Sequence, residues 1–212
     1  ESSLETELLD LISSQTNPTL ATYAKEGEVS IRVSAKAKDK NEARQMIDPI
    51  VGEIKSRLYN YIYSEDNEEL VEVTAKKLLE KNITISLAES CTGGLIASQL
   101  TSIPGISHCF DRGIITYSNR SKIEQLGVSP STLVNFGAVS KETAREMVIG
   151  LKKKSKSELC LSITGVAGPD SGSPEKPVGL IFIALIYKDD IICNSYNLTG
   201  SRDRIRNQAA LL

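Results

Sequence analysis

The chain of 212 residues lacks tryptophan, contains one histidine, and has only 5% aromatic residues. The single histidine, His108, and the lack of a Gly-x-Ser-x-Gly motif argue against a Ser-His-Asp triad. No cluster of histidine, cysteine or carboxylate residues has the spacing of a metal site. The longest apolar run, residues 178–187, is far shorter than the roughly 20 residues that a membrane-spanning helix needs. We therefore expect neither a metal nor a membrane partner.

Charge and cysteine content narrow the class further. A net charge of -2 argues against nucleic acid as a partner. The cysteines are far apart and form no Cys-x-x-Cys pair, which is typical of reduced thiols in a cytoplasmic protein; they are Cys91, Cys109, Cys160 and Cys193. No secretory signal peptide is recognisable. With 40% apolar and 25% charged residues, the composition is that of a soluble globular protein.

A charged segment, residues 64–69, divides two hydrophobic patterns and predicts two domains, residues 1–64 and 65–212. The first domain begins with a helix over residues 2–12. A hairpin of strands 19–25 and 29–35 follows, turning at Glu26 and Gly27. A long helix over residues 39–58 and a short strand at 61–63 complete a small α+β domain.

The second domain alternates helices with apolar strands, which predicts an α/β sandwich with a mixed, mostly parallel sheet. The predicted strands are residues 83–87, 110–117, 159–164, 178–187 and 191–196, the last two antiparallel. The predicted helices are residues 70–80, 95–100, 121–127, 140–154 and 200–212.

The turn after the first of these strands, Glu89-Ser-Cys-Thr-Gly-Gly94, places small hydroxyl residues and glycines where a helix begins. Unpaired N–H groups at a helix start favour negative charge, such as a phosphate or a developing oxyanion. Ser90 would lie beyond the carboxyl end of a strand, where open α/β sheets carry their chemistry. The alternative is a helix N-cap with glycines that only ease the turn.

Polar loops also follow other strands, and neighbouring strands would bring these loops to one edge of the sheet. A serine such as Ser90 needs a base to become a nucleophile, and a buried lysine with a lowered pKa is suitable. Lys122 lies five residues after Tyr117, whose phenol could relay a proton. The structural alternatives are a solvated lysine and a tyrosine that covers a strand end.

Cys91 is a second candidate nucleophile. A cysteine at a helix N-terminus can have a lowered pKa, and Cys91 paired with His108 would form a thiol amidase dyad. His108 has no evident carboxylate to orient it, so the serine hypothesis is preferred.

Several segments together resemble the CinA family, in particular its C-terminal nicotinamide-nucleotide amidase (NMN deamidase) domain. They are Ala88-Glu-Ser-Cys-Thr-Gly-Gly94, Tyr117-Ser-Asn119 with Lys122, Leu126-Gly-Val128, Gly137-Ala-Val-Ser140, Thr164-Gly-Val-Ala-Gly-Pro169, Glu175-Lys-Pro-Val-Gly179 and Gly200-Ser-Arg202. The resemblance covers residues 68–212, and the preceding residues resemble the KH-like middle domain of full-length members. Those members also carry an N-terminal molybdopterin-binding-like domain, which is expected to be absent from this chain.

The resemblance implies hydrolysis of nicotinamide mononucleotide (NMN) to nicotinate mononucleotide and ammonia, without a cofactor. By residue, it implies Ser90 as nucleophile, Lys122 as general base and Tyr117 as assisting phenol. The implied substrate-binding residues are Thr92, Gly93, Gly94, Thr164, Gly165, Arg202 and Arg206. Ser201 stands where the family usually has aspartate. A homodimer is the default expectation. The alternative function is a non-catalytic module that binds a nucleotide or a protein in competence or the DNA-damage response.

Overall fold

The computed structural model describes residues 2–25, 27–171 and 173–212. The chain divides into two compact units, one that ends at Glu69 and one that begins at Leu70. Among the described residues, no helix combines the length and the apolarity that crossing a membrane requires.

The first unit is a helical and hairpin structure around a small apolar core. Its elements are α1 (Ser2–Glu7), α2 (Leu9–Ser14), β1 (Thr19–Ala24), β2 (Val29–Ser34) and α3 (Lys40–Leu58). The predicted hairpin is confirmed, since β1 and β2 pair antiparallel; Glu26 of its turn lies outside the described residues. Asp39 caps α3 by accepting hydrogen bonds from two backbone N–H groups of its first turn. The core residues are Leu8, Leu20, Ile54 and Leu58.

The strand predicted at residues 61–63 is wrong. The N–H groups of Tyr61 and Ile62 donate to the Leu58 carbonyl, at 2.8 and 3.3 Å, and so extend the end of α3. The Tyr63 hydroxyl donates to a Glu28 carboxylate oxygen at 2.5 Å. Three residues can form few hydrogen bonds with a neighbouring strand. Here the polar groups of the segment bond to the end of α3 and to the Glu28 side chain instead.

The second unit is an α/β sandwich. Its elements are α4 (Leu70–Lys81), β3 (Ile85–Glu89), α5 (Leu95–Thr101), β4 (Phe110–Ile115), α6 (Asn119–Leu126), α7 (Pro130–Phe136), α8 (Lys141–Ser155), β5 (Leu159–Gly165), β6 (Leu180–Tyr187), β7 (Asp190–Asn197) and α9 (Arg202–Leu211). The strand order is β4-β3-β5-β6-β7. Strand β3 is parallel to β4 and β5, whereas β6 is antiparallel to both of its neighbours. Four strands therefore share one direction, which confirms the predicted mixed sheet.

Helices cover both faces of this sheet because β3 alternates its side chains between two cores. Ala88 packs with residues of α6, α7 and α8 on one face. Leu87 packs with residues of α4 and α5 on the other face, where α9 adds a further cluster. Helix α8 passes very close to the end of α6. A Cβ atom added at Gly150 would lie 1.8 Å from the Leu126 carbonyl oxygen, so only glycine fits there.

Candidate active site

Ser90 lies at the centre of the edge formed by the carboxyl ends of three parallel strands. Its N–H donates to the Ile163 carbonyl of β5 at 3.0 Å, which continues the strand pairing one residue beyond β3. On the other side, the Thr116 N–H donates to the Glu89 carbonyl at 2.8 Å. Ser90 shares a sheet face with Ala88, two residues earlier, because side chains alternate along a strand. It therefore faces the layer that contains α6.

Lys122 of α6 reaches Ser90 on that face. Its Nζ lies 2.9 Å from Ser90 Oγ and 2.6 Å from the Thr116 carbonyl oxygen. Helix α6 begins with a capping box, in which Ser118 and Ser121 exchange side-chain and backbone hydrogen bonds. The N-cap is thus Ser118, and the helix begins at Asn119, two residues before the predicted start at Ser121. This start places Lys122 in the second turn with its side chain directed inward, and only 1% of the residue is exposed.

The burial of Lys122 changes its acid–base behaviour. Removal from water disfavours the ammonium and lowers the pKa of Lys122 from 10.5 to about 8. With that pKa, the amine is uncharged in roughly a tenth of the molecules at pH 7 and in about half of them at pH 8. A neutral amine at 2.9 Å from a hydroxyl can accept the hydroxyl proton. The pair has the distance and the protonation equilibrium that nucleophilic catalysis requires.

Tyr117 directly follows Thr116 and is 60% exposed. Its hydroxyl accepts a hydrogen bond from Arg202 at 2.5 Å, and the same guanidinium donates to the Gly168 carbonyl at 2.5 Å. Arg202 thereby joins the loops that follow β4 and β5. Within the described part of the chain, no hydrogen bond connects Tyr117 with Lys122 or Ser90. The structure thus joins Tyr117 to Arg202 by a hydrogen bond.

Glu89 is a site residue that the sequence did not single out. Glu89 is only 1% exposed, and its carboxylate accepts hydrogen bonds from the N–H groups of Gly94 at 2.9 Å, Ala97 at 2.9 Å and Ile96 at 3.3 Å. It satisfies the donors at the start of α5 and complements the helix dipole. The protein's own carboxylate therefore occupies the helix start, and the Gly94 N–H is not available to bind a phosphate.

The remaining predicted residues of this turn are held by the protein itself. Gly93 and Gly94 have positive φ angles of 63° and 95°, which favour glycine. Arg206 donates to the Thr92 carbonyl at 2.8 Å, so α9 supports the turn. Two fully buried hydroxyls next to the Ser90–Lys122 pair, those of Thr92 and Thr116, have no hydrogen-bond partner among the described residues.

Thr164 and Gly165 lie beside Ser90 at the end of β5. The Thr164 hydroxyl donates to the Ala138 carbonyl at 2.8 Å. A Cβ at Gly165 would lie 2.8 Å from the Leu180 carbonyl oxygen, so glycine is needed for the close pairing with β6. The structure brings both residues to the Ser90 edge, with the Thr164 side chain engaged in holding the segment before α8.

The Cys91–His108 alternative is not supported. Burial raises the pKa of the Cys91 thiol to about 11, the opposite of an activated thiolate. His108 is exposed and precedes β4, whose first residue pairs with Ile85 at the start of β3. The length of β3 separates the two, on the order of 15 Å. Among the described residues, no group of three or more His, Cys, Asp or Glu could hold a metal ion.

Comparison with known proteins identifies two family models along the chain. The model of the CinA C-terminal domain matches residues 67–212, and that of the damage-inducible protein CinA KH domain matches residues 1–64. A putative competence-damage inducible protein of Acetivibrio thermocellus is 49% identical over 211 residues, covering 100% of this chain and 51% of the relative. A CinA-like protein of Dictyoglomus turgidum is 48% identical, covering 97% and 50%. The chain thus spans about half the length of the curated relatives it matches.

Solved structures give the same result for the fold. The crystal structure of competence/damage inducible protein CihA from Agrobacterium tumefaciens is 39% identical, with a TM-score of 0.65 over 71% of this chain and 92% of that chain. A CinA superfamily protein from Klebsiella pneumoniae is 28% identical, with a TM-score of 0.65 over 68% and 92%.

Proposed function

Because the chain belongs to the CinA family, we propose that its second unit is an amidase that hydrolyses NMN to nicotinate mononucleotide and ammonia. The observation that carries the proposal is the 2.9 Å contact between Lys122 Nζ and Ser90 Oγ, with the lysine buried. A lysine kept largely from solvent beside a serine can act as a base. Burial of a lysine that has no such role would only lower the stability of the protein.

The proposed reaction proceeds through an acyl-enzyme. Lys122 takes the Ser90 proton while Ser90 Oγ bonds to the carboxamide carbon. The tetrahedral intermediate collapses, the carbon–nitrogen bond breaks, and the proton on Lys122 passes to the leaving nitrogen to give ammonia. Water then gives a proton to Lys122 and attacks the acyl carbon. Ser90 leaves and recovers its proton, which completes hydrolysis without a cofactor.

We assign the substrate phosphate to the arginines of α9. The start of α5 is filled by Glu89, so the phosphate needs cationic side chains instead. Arg202 contacts Tyr117, and Arg206 supports the Ser90 turn. The second unit has 17 Lys and Arg against 13 Asp and Glu, which favours an anionic substrate. In this arrangement Tyr117 contributes to substrate binding through its contact with Arg202.

Ammonia release from NMN tests the proposal directly. Ser90→Ala should lower the rate about 1,000-fold or more, because it removes the nucleophile. Cys91→Ala, the neighbouring residue in the same turn, serves as the matched control and should keep the rate within a few-fold. Full activity in Ser90→Ala would refute the serine mechanism.

A second candidate function follows from the relatives' names, which refer to competence and damage induction. In that case the unit would bind a nucleotide or a protein partner without catalysis. Calorimetry with NMN separates the two: tight binding to the wild type with no ammonia at high protein concentration would favour the binding module.

We further propose a cytoplasmic homodimer, and sedimentation equilibrium tests its stoichiometry.

A further inference from the structure

Ser90 lies between two threonines in a row across three strands. Ala88 pairs with Ile114 of β4 and with Ser162 of β5. Two residues further, the same register sets Thr116 and Thr164 on either side of Ser90, on one sheet face and about 4.8 Å away along the sheet. The two neighbours differ in one respect. Thr164 donates its hydroxyl to a carbonyl, whereas Thr116 is completely buried and its hydroxyl has no partner among the described residues.

An unpartnered buried hydroxyl destabilises a folded protein, and valine would fill the same space without that penalty. Its presence at this position, in the row with Ser90, therefore points to the chemistry of the site. Thr116 also touches the base already, since its carbonyl oxygen accepts from Lys122 Nζ at 2.6 Å.

Proton transfer creates a demand that the resting contacts do not meet. When the Ser90 O–H bond breaks and the proton joins Lys122 Nζ, the resulting ammonium carries three N–H groups. Among the described residues, two acceptors contact it, Ser90 Oγ and the Thr116 carbonyl. A third acceptor is needed because the side chain is shielded from solvent.

We propose that Thr116 is a positioning residue whose hydroxyl accepts the third N–H of protonated Lys122 during acyl transfer. The inference rests on the proposed amidase function and deepens it. The hydroxyl and the carbonyl of Thr116 then hold two N–H groups of the ammonium and direct the third toward Ser90 Oγ or the leaving nitrogen. The hydroxyl neither gains nor loses a proton in the step.

The test compares Thr116→Val, Thr116→Ser and wild type. Thr116→Val should lower kcat by about 10- to 100-fold, the range for a hydrogen bond to a charged group, with KM unchanged. Its unfolding free energy should stay equal or rise. Thr116→Ser should restore kcat. The matched control is Thr132→Val, also buried, whose hydroxyl donates to Glu146 at 2.6 Å; it should lose stability and keep kcat.

A second measurement does not depend on the substrate. Labelling of Ser90 by a fluorophosphonate, followed by mass spectrometry, should be slowed by a similar factor in Thr116→Val and restored in Thr116→Ser. Equal kcat and labelling in Thr116→Val would overturn the inference, as would a wild-type Ser90 that is not labelled. Labelling of the wild type without ammonia release from NMN would refute the proposed substrate, and the labelling ratio of the variants would still decide the role of Thr116.

Discussion

The interiors of the two units are built from different kinds of side chain. In the first unit, the buried side chains of the described residues are apolar: Leu8, Leu20, Ile54 and Leu58. In the second unit, twelve polar or charged side chains are buried among the described residues, including Glu89, Ser90 and Lys122. Charge differs as well, since residues 1–69 carry 8 Lys and Arg against 14 Asp and Glu. The first unit thus combines a net negative charge with an apolar core.

Buried polar groups reduce stability unless each has a partner, so their arrangement reveals what they are for. Glu89 and Ser90 are consecutive residues that point to opposite faces of the sheet. Glu89 meets three N–H groups and secures a helix, whereas Ser90 meets a lysine. Under the proposed function, the contrast separates polar burial that stabilises the fold from polar burial that serves the reaction. Three substitutions, in four predictions, test this separation.

Lys122→Met should have the largest effect. The substitution keeps the length of the side chain and removes the base, so ammonia release should fall about 1,000-fold, equivalent to about 4 kcal/mol. Lys154→Met, an exposed lysine of α8, is the control and should keep the wild-type rate. The wild-type rate should rise with pH, with a midpoint near the Lys122 pKa of about 8. Normal turnover in Lys122→Met would show that the burial of this lysine does not serve the reaction.

The same lysine should make stability depend on pH. Between the folded-state pKa of about 8 and the ordinary value of 10.5, the unfolded chain holds a proton that the folded chain has released. Raising the pH over this range therefore favours the folded state, by about 3 kcal/mol at the most. Urea unfolding of wild type and Lys122→Met should show the difference between their stabilities growing in favour of wild type from pH 8 to 10.5. A constant difference would mean that the lysine is not desolvated.

Glu89→Gln should have a smaller effect on stability. The amide keeps one acceptor oxygen and loses the charge that complements the start of α5, so we expect a loss of about 1–2 kcal/mol. Hydrogen exchange at Gly94 and Ala97 measures the loosening of the helix start. The exposed helix-start glutamate Glu142 of α8 is the control, since Glu142→Gln should change stability by a few tenths of a kcal/mol. Equal effects would show that burial gives Glu89 no special weight.

Ile54→Val tests the apolar side of the comparison. Removing one methylene from the core of the first unit should cost that unit about 1 kcal/mol. Ammonia release should stay within twofold of wild type. Calorimetry checks the first statement and the assay the second. A marked fall in turnover would show that the first unit takes part in the site.

Much of the fold could be predicted because apolar strands and helix caps are local patterns. As expected, Ser140 caps the start of α8, Gly127 caps the end of α6, and β6 and β7 pair antiparallel. Helix α7 was not predicted, since Pro130 at its start was not recognised as a first-turn residue. The helix predicted over residues 2–12 is two helices separated at Leu8, which turns wholly into the core. Tertiary contacts override local preference at such places.

The candidate site was only partly accessible to sequence. The contact between Lys122 and Ser90 agrees with the predicted pairing, because both follow adjacent strands whose ends meet at one edge. Glu89 was missed because its partners lie five to eight residues ahead, and the turn between them must be known first. Thr116 was missed because its place beside Ser90 depends on strand register, which a single sequence does not display.

Gly150 has a bearing on the site although it lies outside it. The absent side chain lets α8 rest directly on the last carbonyl of α6. Helix α6 carries Lys122 one turn from its other end. Any larger residue at position 150 would push against that carbonyl and displace α6, so the placement of the Lys122 amine depends on a missing side chain on another helix.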